Sequence, residues 1–123
     1  MAESNDLWGD LQIAQVRTPL IIMREQASLL GAKTKNLVEA TVDTRVSGGS
    51  FAHSFNLVVP ALGNYTYTLF TILHGPELYP IELVPRYGVE LLNQDTFVSW
   101  LASQLSSPQT KRIVSNLLSQ VAA

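Results

Sequence analysis

The stretch VEATVDTRV (Val38–Val46) decides the fold. Val38, Ala40, Val42, Thr44 and Val46 alternate with Glu39, Thr41, Asp43 and Arg45, so one face of the segment is dry and the other wet. A period of two over nine residues is the pattern of a half-buried β-strand, because successive side chains point to opposite sides of a sheet. Working outward, Ser47-Gly48-Gly49-Ser50 makes a turn, and from Phe51 to Val59 the odd positions Phe51, His53, Phe55, Leu57 and Val59 form the heavier face. A second turn, Pro60 to Asn64, leads to Tyr65, Tyr67, Leu69, Thr71 and Leu73, which repeat the odd-position pattern up to His74-Gly75-Pro76.

Residues opposite one another in a sheet share a face, so these patterns also predict register. Val46 opposite Phe51 and Val59 opposite Tyr65 give four apolar or aromatic rows: Val46, Phe51, Leu73; Val42, Phe55, Leu69; Ala40, Leu57, Tyr67; Val38, Val59, Tyr65. The fifth row is polar: Thr44, His53, Thr71. Leu78 to Val84 is a candidate fourth strand, confined by Pro80 to a sheet edge.

The flanking blocks change period to about 3.6. Leu7, Trp8, Leu11 and Ala14 recur at helical spacing, with Gly9 weakening the segment. Thr18-Pro19 is a helix start, a capping hydroxyl followed by a proline whose missing N–H costs nothing in the first turn; Leu20, Met23, Ala27 and Leu30 follow, and Gly31 is placed to end the helix. After the sheet, Asn93 or Asp95 can cap a helix carrying Phe97, Leu101 and Leu105 with Trp100 beside them, and Ser107-Pro108 starts another with Ile113, Leu117 and Val121. The expectation is a single α+β domain over residues 1–123, helical over 1–36, sheet over 37–84 and helical over 93–123. It is a two-layer arrangement, an antiparallel three- to four-stranded meander packed against N- and C-terminal helices.

Composition bounds the function. The 123 residues are 46% hydrophobic and only 15% charged, against roughly 25% charged in an average domain. The net charge is −2 and the eight Lys and Arg are scattered, with only Lys111 and Arg112 adjacent, which gives no strong attraction to a nucleic-acid backbone. The absence of cysteine excludes thiol catalysis, Cys-ligated zinc and disulfides and fits a reducing cytoplasm; Met1 to Asp10 is polar and acidic where a secretory signal has a basic start and an apolar run, and no apolar stretch approaches membrane length, so the expectation is a soluble intracellular chain.

The candidate sites are few. SFAHSF (Ser50–Phe55) sets a histidine among serines, but on a strand Ser54 points away from His53, and no carboxylate shares the inner face to orient the imidazole. No catalytic residue is therefore assigned. His74 beside Glu77 supplies too few ligands for a metal and reads as an exposed strand end. The glycines after Ser47 lack a phosphate-loop ending and lead into a strand. Glu39 and Asp43 lie about 13 Å apart along a strand, too far for a glycosidase pair. No cofactor is implied.

Three readings remain, the third being a sheet-edge peptide binder at the strand that bears Pro80. The leading one is a small non-enzymatic cytoplasmic interaction protein of bacterial type, adaptor or antidote-like. It would use the uncharged outer sheet face, where Asn56, Val58, Thr68, Phe70 and Ile72 lie, to bind a protein partner or a second copy. The alternative is a small-ligand-binding domain or minor enzyme with a pocket at Thr44, His53 and Thr71, and Tyr67 nearby. If that row is instead sealed, His53 is a core histidine held by a threonine hydroxyl.

Overall fold

Thr18 opens the first helix as its chemistry requires: its hydroxyl oxygen accepts the Ile21 amide at 3.2 Å, and Pro19 is the first residue of α1 (Pro19–Lys33). The computed structural model describes residues 6–12, 16–84 and 89–123. Over these described residues it is an α+β fold with a five-stranded antiparallel sheet and three α-helices. Helix α1 buries Pro19, Ile22, Met23, Ala27 and Gly31, a stripe at three- and four-residue spacing. It runs two residues past Gly31 and ends where Lys35 and Asn36 turn left-handed. The Thr34 hydroxyl then ties the helix end to the sheet, lying 2.7 Å from the Val38 carbonyl oxygen and accepting the Val38 amide at 3.1 Å.

The helix expected across Leu7, Trp8 and Leu11 does not form among residues 6–12, and Ala14 lies outside the described residues. Gly9 adopts a left-handed φ of 70°, and the Asp6 carboxylate accepts the Trp8 amide at 2.9 Å. A short acidic side chain that captures a nearby amide competes with helical hydrogen bonding, and glycine removes the steric bias toward helix.

Strands β1 (Glu39–Ser47) and β2 (Ser50–Val59) pair in the expected register, with Val46 opposite Phe51, Thr44 opposite His53, Val42 opposite Phe55 and Ala40 opposite Leu57. Their two-residue turn places both Gly48 and Gly49 at positive φ, 56° and 82°. A turn of this type matches the strand twist but is strained for any residue with a Cβ. Gly49→Ala is therefore expected to lower the unfolding free energy by about 1–2 kcal/mol in a urea titration, with the far-ultraviolet spectrum unchanged.

Strand β3 (Tyr65–His74) corrects the expected register over half its length. Val59 opposite Tyr65 and Leu57 opposite Tyr67 hold, but between Asn56 and Phe55 the pairing skips Leu69. Phe55 then faces Phe70, His53 faces Ile72 and Phe51 faces His74. A bulge of one residue turns every later side chain to the other face. Phe70 and Ile72, 8% and 0% exposed, therefore belong to the core and leave the outer face, while Thr71 and Leu73 leave the inner rows.

The fourth strand, β4 (Ile81–Val84), begins after Pro80, later than the expected Leu78. It is an interior strand, because β5 (Glu90–Leu91) pairs with its other side through Ile81 opposite Leu91. The sheet follows chain order, β1 to β5, which makes five strands where three or four were expected. Helix α2 (Gln94–Leu105) opens with a capping box: Asn93 accepts the Thr96 amide at 2.9 Å while the Thr96 hydroxyl accepts the Asn93 amide at 3.2 Å. Helix α3 (Pro108–Ala122) repeats the Thr18-Pro19 device with Ser107 and Pro108. One contiguous core joins Ile22 and Met23 of α1, Phe55, Leu57, Phe70, Ile72, Ile81 and Leu83 of the sheet, Phe97 and Leu101 of α2 and Leu117 of α3. Among the described residues, no helix is long and apolar enough to cross a membrane.

Candidate functional site

Because the bulge rotates the end of β3, it delivers His74 to the inner face beside His53. Both histidines are buried, which corrects the expectation of an exposed strand end for His74. His53 Nδ1 lies 2.8 Å from the Thr44 hydroxyl, His53 Nε2 lies 2.7 Å from His74 Nε2, and His74 Nδ1 lies 2.8 Å from the Gly75 carbonyl oxygen. Phe51 covers both rings, parallel to His53 with centroids 6.5 Å apart and tilted on His74 at 5.5 Å.

The far end of this chain fixes its protons. A carbonyl oxygen only accepts, so His74 Nδ1 donates to Gly75; with neutral rings, His74 Nε2 is then an acceptor and His53 Nε2 must be the donor. That leaves His53 Nδ1 to accept from the Thr44 hydroxyl. All four ring nitrogens are occupied, and none is left for a substrate or metal. Burial, then the neighbouring His74, then Arg24 lower the His53 pKa to about 4, which keeps the imidazole neutral at pH 7.

The other members of the expected polar row lie elsewhere. Thr71 sits on the outer face, its hydroxyl 2.8 Å from that of Ser54. Tyr67 is opposite Leu57, four residues along β2 from His53, or about 13 Å of strand. A hollow of about 260 Å³ lies beside His74, lined by Ser50, Tyr79 and Glu82 among others, but neither His53, Thr44 nor Thr71 reaches it. The Tyr79 hydroxyl is itself buried, with no hydrogen-bond partner among the described residues. Also among the described residues, no group of three or more His, Cys, Asp and Glu could hold a metal ion.

On the outer face, Asn56, Val58 and Thr68 are placed as expected. Asn56 is nearly inaccessible and donates to the Asp43 carboxylate at 2.7 Å, while its carbonyl oxygen accepts from the Thr68 hydroxyl at 2.7 Å. Without Phe70 and Ile72, the middle of this face carries Ala52, Ser54, Asn56, Val58, Thr66, Thr68, Thr71 and Leu73, with Glu39, Asp43, Glu82 and Glu90 toward its margins. These are mostly small side chains, of which Ser54 is bonded to Thr71 and Asn56 to Thr68 and Asp43. They lack the aromatic anchors that carry binding energy at interfaces.

The larger concavity is on the opposite side. A groove of about 660 Å³ runs over the sheet between α1 and the α2–α3 pair. Phe55, Leu57 and Leu69 form its floor; Leu29 and Leu30 form one wall, and Leu105 and Val114 the other. Leu69 is the bulge residue, so the same irregularity that brings Phe70 into the core leaves a second apolar side chain beside it on the inner face. Among the described residues, the charged ones lining the groove are Lys33 and Lys111, both basic. No individual residue on its own marks this groove in the sequence, because its wall residues come from three separate helices. No protein-family model, curated protein or solved structure matches the chain.

Proposed function

We propose that the chain is a small interaction module that captures an apolar segment of a protein in the groove between α1 and the α2–α3 pair. The observation that carries this reading is the groove itself: about 660 Å³, with an aromatic and aliphatic floor and walls and a basic rim. Small-molecule sites are concave, mainly apolar and some 300 to 1,000 Å³ in volume, and apolar-walled grooves likewise receive the anchor side chains of protein segments. The reading favours a two-layer packing, with helices over one sheet face forming the groove walls, and action in the cytoplasm. It moves the binding surface away from the outer sheet face, whose bonded Asp43, Asn56 and Thr68 and small neighbours favour solvation over docking. The alternative, a ligand or catalytic site at His53, is disfavoured because its ring nitrogens are engaged within the chain.

Leu29 permits a clean test, since it lines the groove yet is 49% exposed and contributes little to the core. The wild-type protein is expected to enhance the fluorescence of anilinonaphthalene sulfonate, an anionic apolar probe, with saturable binding. Leu29→Glu is expected to remove most of that enhancement while leaving the stability within about 0.5 kcal/mol. Undiminished probe binding by the variant counts against the groove.

A further inference from the structure

The groove has a complement elsewhere on the same chain. In the segment Asp6–Leu11, DLWGDL, the side chains of Leu7, Trp8 and Leu11 are 92%, 79% and 74% exposed, and none of them lines the groove. Three large apolar side chains in solvent within five residues are a hydrophobic cluster without a partner. Asp6 and Asp10 bracket Leu7 and Trp8. The groove is lined by Lys33 and Lys111, and the ion pair among the described residues, Arg17 with Glu25, engages neither of them. An acidic, apolar arm thus faces a basic, apolar groove, complementary in both charge and hydrophobicity.

We propose that the Asp6–Leu11 arm of one copy seats in the groove of a second copy, which places its own arm in the first. This inference rests on the groove being the binding surface. Trp8 is the anchor over Phe55, Leu57 and Leu69, because a tryptophan in an apolar concavity concentrates binding energy as few other residues do. Asp6 and Asp10 pair with the lysines at the rim. The turn in which the Asp6 carboxylate holds the Trp8 amide, followed by left-handed Gly9, already orders the arm before it docks. Since each copy carries both an arm and a groove, reciprocal exchange about a two-fold axis closes at two copies.

Sedimentation velocity across the micromolar range, read with Trp8 fluorescence, tests the inference. A reversible dimer is expected, with Trp8 emission, obtained as the difference between wild type and Trp8→Phe, shifting to the blue as dimer forms. Trp8→Ala is expected to raise the dimer dissociation constant about thirtyfold or more without loss of fold, because the residue is exposed in the single chain. Copies carrying Asp6→Lys with Asp10→Lys, and copies carrying Lys33→Glu with Lys111→Glu, are each expected to remain monomeric. Mixed, they form a heterodimer, since both arm-to-groove contacts regain opposite charges. A dimer equally strong in Trp8→Ala, or a wild type that stays monomeric, overturns the proposal. A monomer with blue-shifted Trp8 overturns it in favour of the arm folding onto its own groove. If the wild type binds anilinonaphthalene sulfonate and the Leu29→Glu variant does not while no dimer forms, the arm assignment fails alone; if Leu29→Glu leaves probe binding intact, the groove reading fails with it.

Discussion

Replacing Phe70 by alanine is expected to lower the unfolding free energy by about 3–5 kcal/mol in a urea titration, the range for deleting a buried aromatic side chain. Phe70 joins two layers of packing: its ring stacks on Phe55 with centroids 5.3 Å apart and meets Trp100 of α2 edge-on at 4.9 Å. Removing it leaves a void between sheet and helix. Phe70→Leu, which keeps most of the apolar bulk, is expected to cost about 1 kcal/mol and remains measurable if the alanine variant does not fold. The adjacent Thr71→Ala loses one hydroxyl bond to Ser54 on the half-exposed outer face and is expected to cost about 1 kcal/mol or less. That ordering follows from the bulge at Leu69 alone. Were β3 to alternate without interruption, Thr71 would be interior and Phe70 exposed. Phe70→Ala would then fall within about 0.5 kcal/mol of wild type.

The contrast shows what local pattern carries and where it stops. β1 is legible because nine residues alternate with Thr44 as the single polar side chain on the inner side, and both glycines of the following turn suit positive φ, so the β1–β2 register follows from local chemistry. The start of β3 is legible for the same reason. Its second half is not, because Leu69-Phe70 puts two large apolar residues in succession and alternation continues on either side in opposite phase. The available signal was that beyond Leu69 the even positions, Phe70 and Ile72, outweigh the odd Thr71. Helix starts were readable wherever a hydroxyl or amide cap precedes proline or an apolar run, as at Thr18, Asn93 and Ser107. The two-residue β5 is too short to show any period, and the arm around Trp8 has helical spacing but lacks the backbone to use it.

The candidate site was harder to read because its parts come together only in the tertiary structure. The pairing of Thr44 with His53 was visible from register, since both lie on the continuous hairpin. His74 was hidden by the same phase change that concealed Phe70, for without the bulge it points to the other face. The groove draws on Leu29, Leu69, Leu105 and Val114, each of which is an ordinary apolar residue in its own element. What brings them together in one groove is that the helices do not close over the sheet between them. No local rule describes a gap between elements distant in sequence.

Acid sensitivity is the second large effect, and its sign follows from the His53 network. In the unfolded chain a histidine takes up a proton near pH 6.5, whereas in the fold the His53 pKa is lowered to about 4. Below pH 6.5 the unfolded chain therefore binds more protons than the folded one, and stability falls as the pH falls. The contribution is fully present at and above neutral pH, is lost progressively from pH 6.5 to 4, and levels off below 4, where the folded imidazole also protonates. Over that window the loss attributable to His53 is about 3 kcal/mol. The structural reason is that protonating His53 puts charge in a buried site, next to a second imidazole and under the influence of Arg24. Urea titrations of wild type and His53→Gln between pH 7.5 and 4 separate this term from the carboxylates, which titrate in both proteins. At neutral pH the variant is expected to be the less stable, having lost the paired Thr44 and His74 contacts. Its stability is also expected to change less with pH, so the two curves converge toward pH 4. Parallel curves over that whole range would mean that His53 takes up its proton equally in the folded and unfolded chains, and the sealed proton-ordered pair would have to be abandoned.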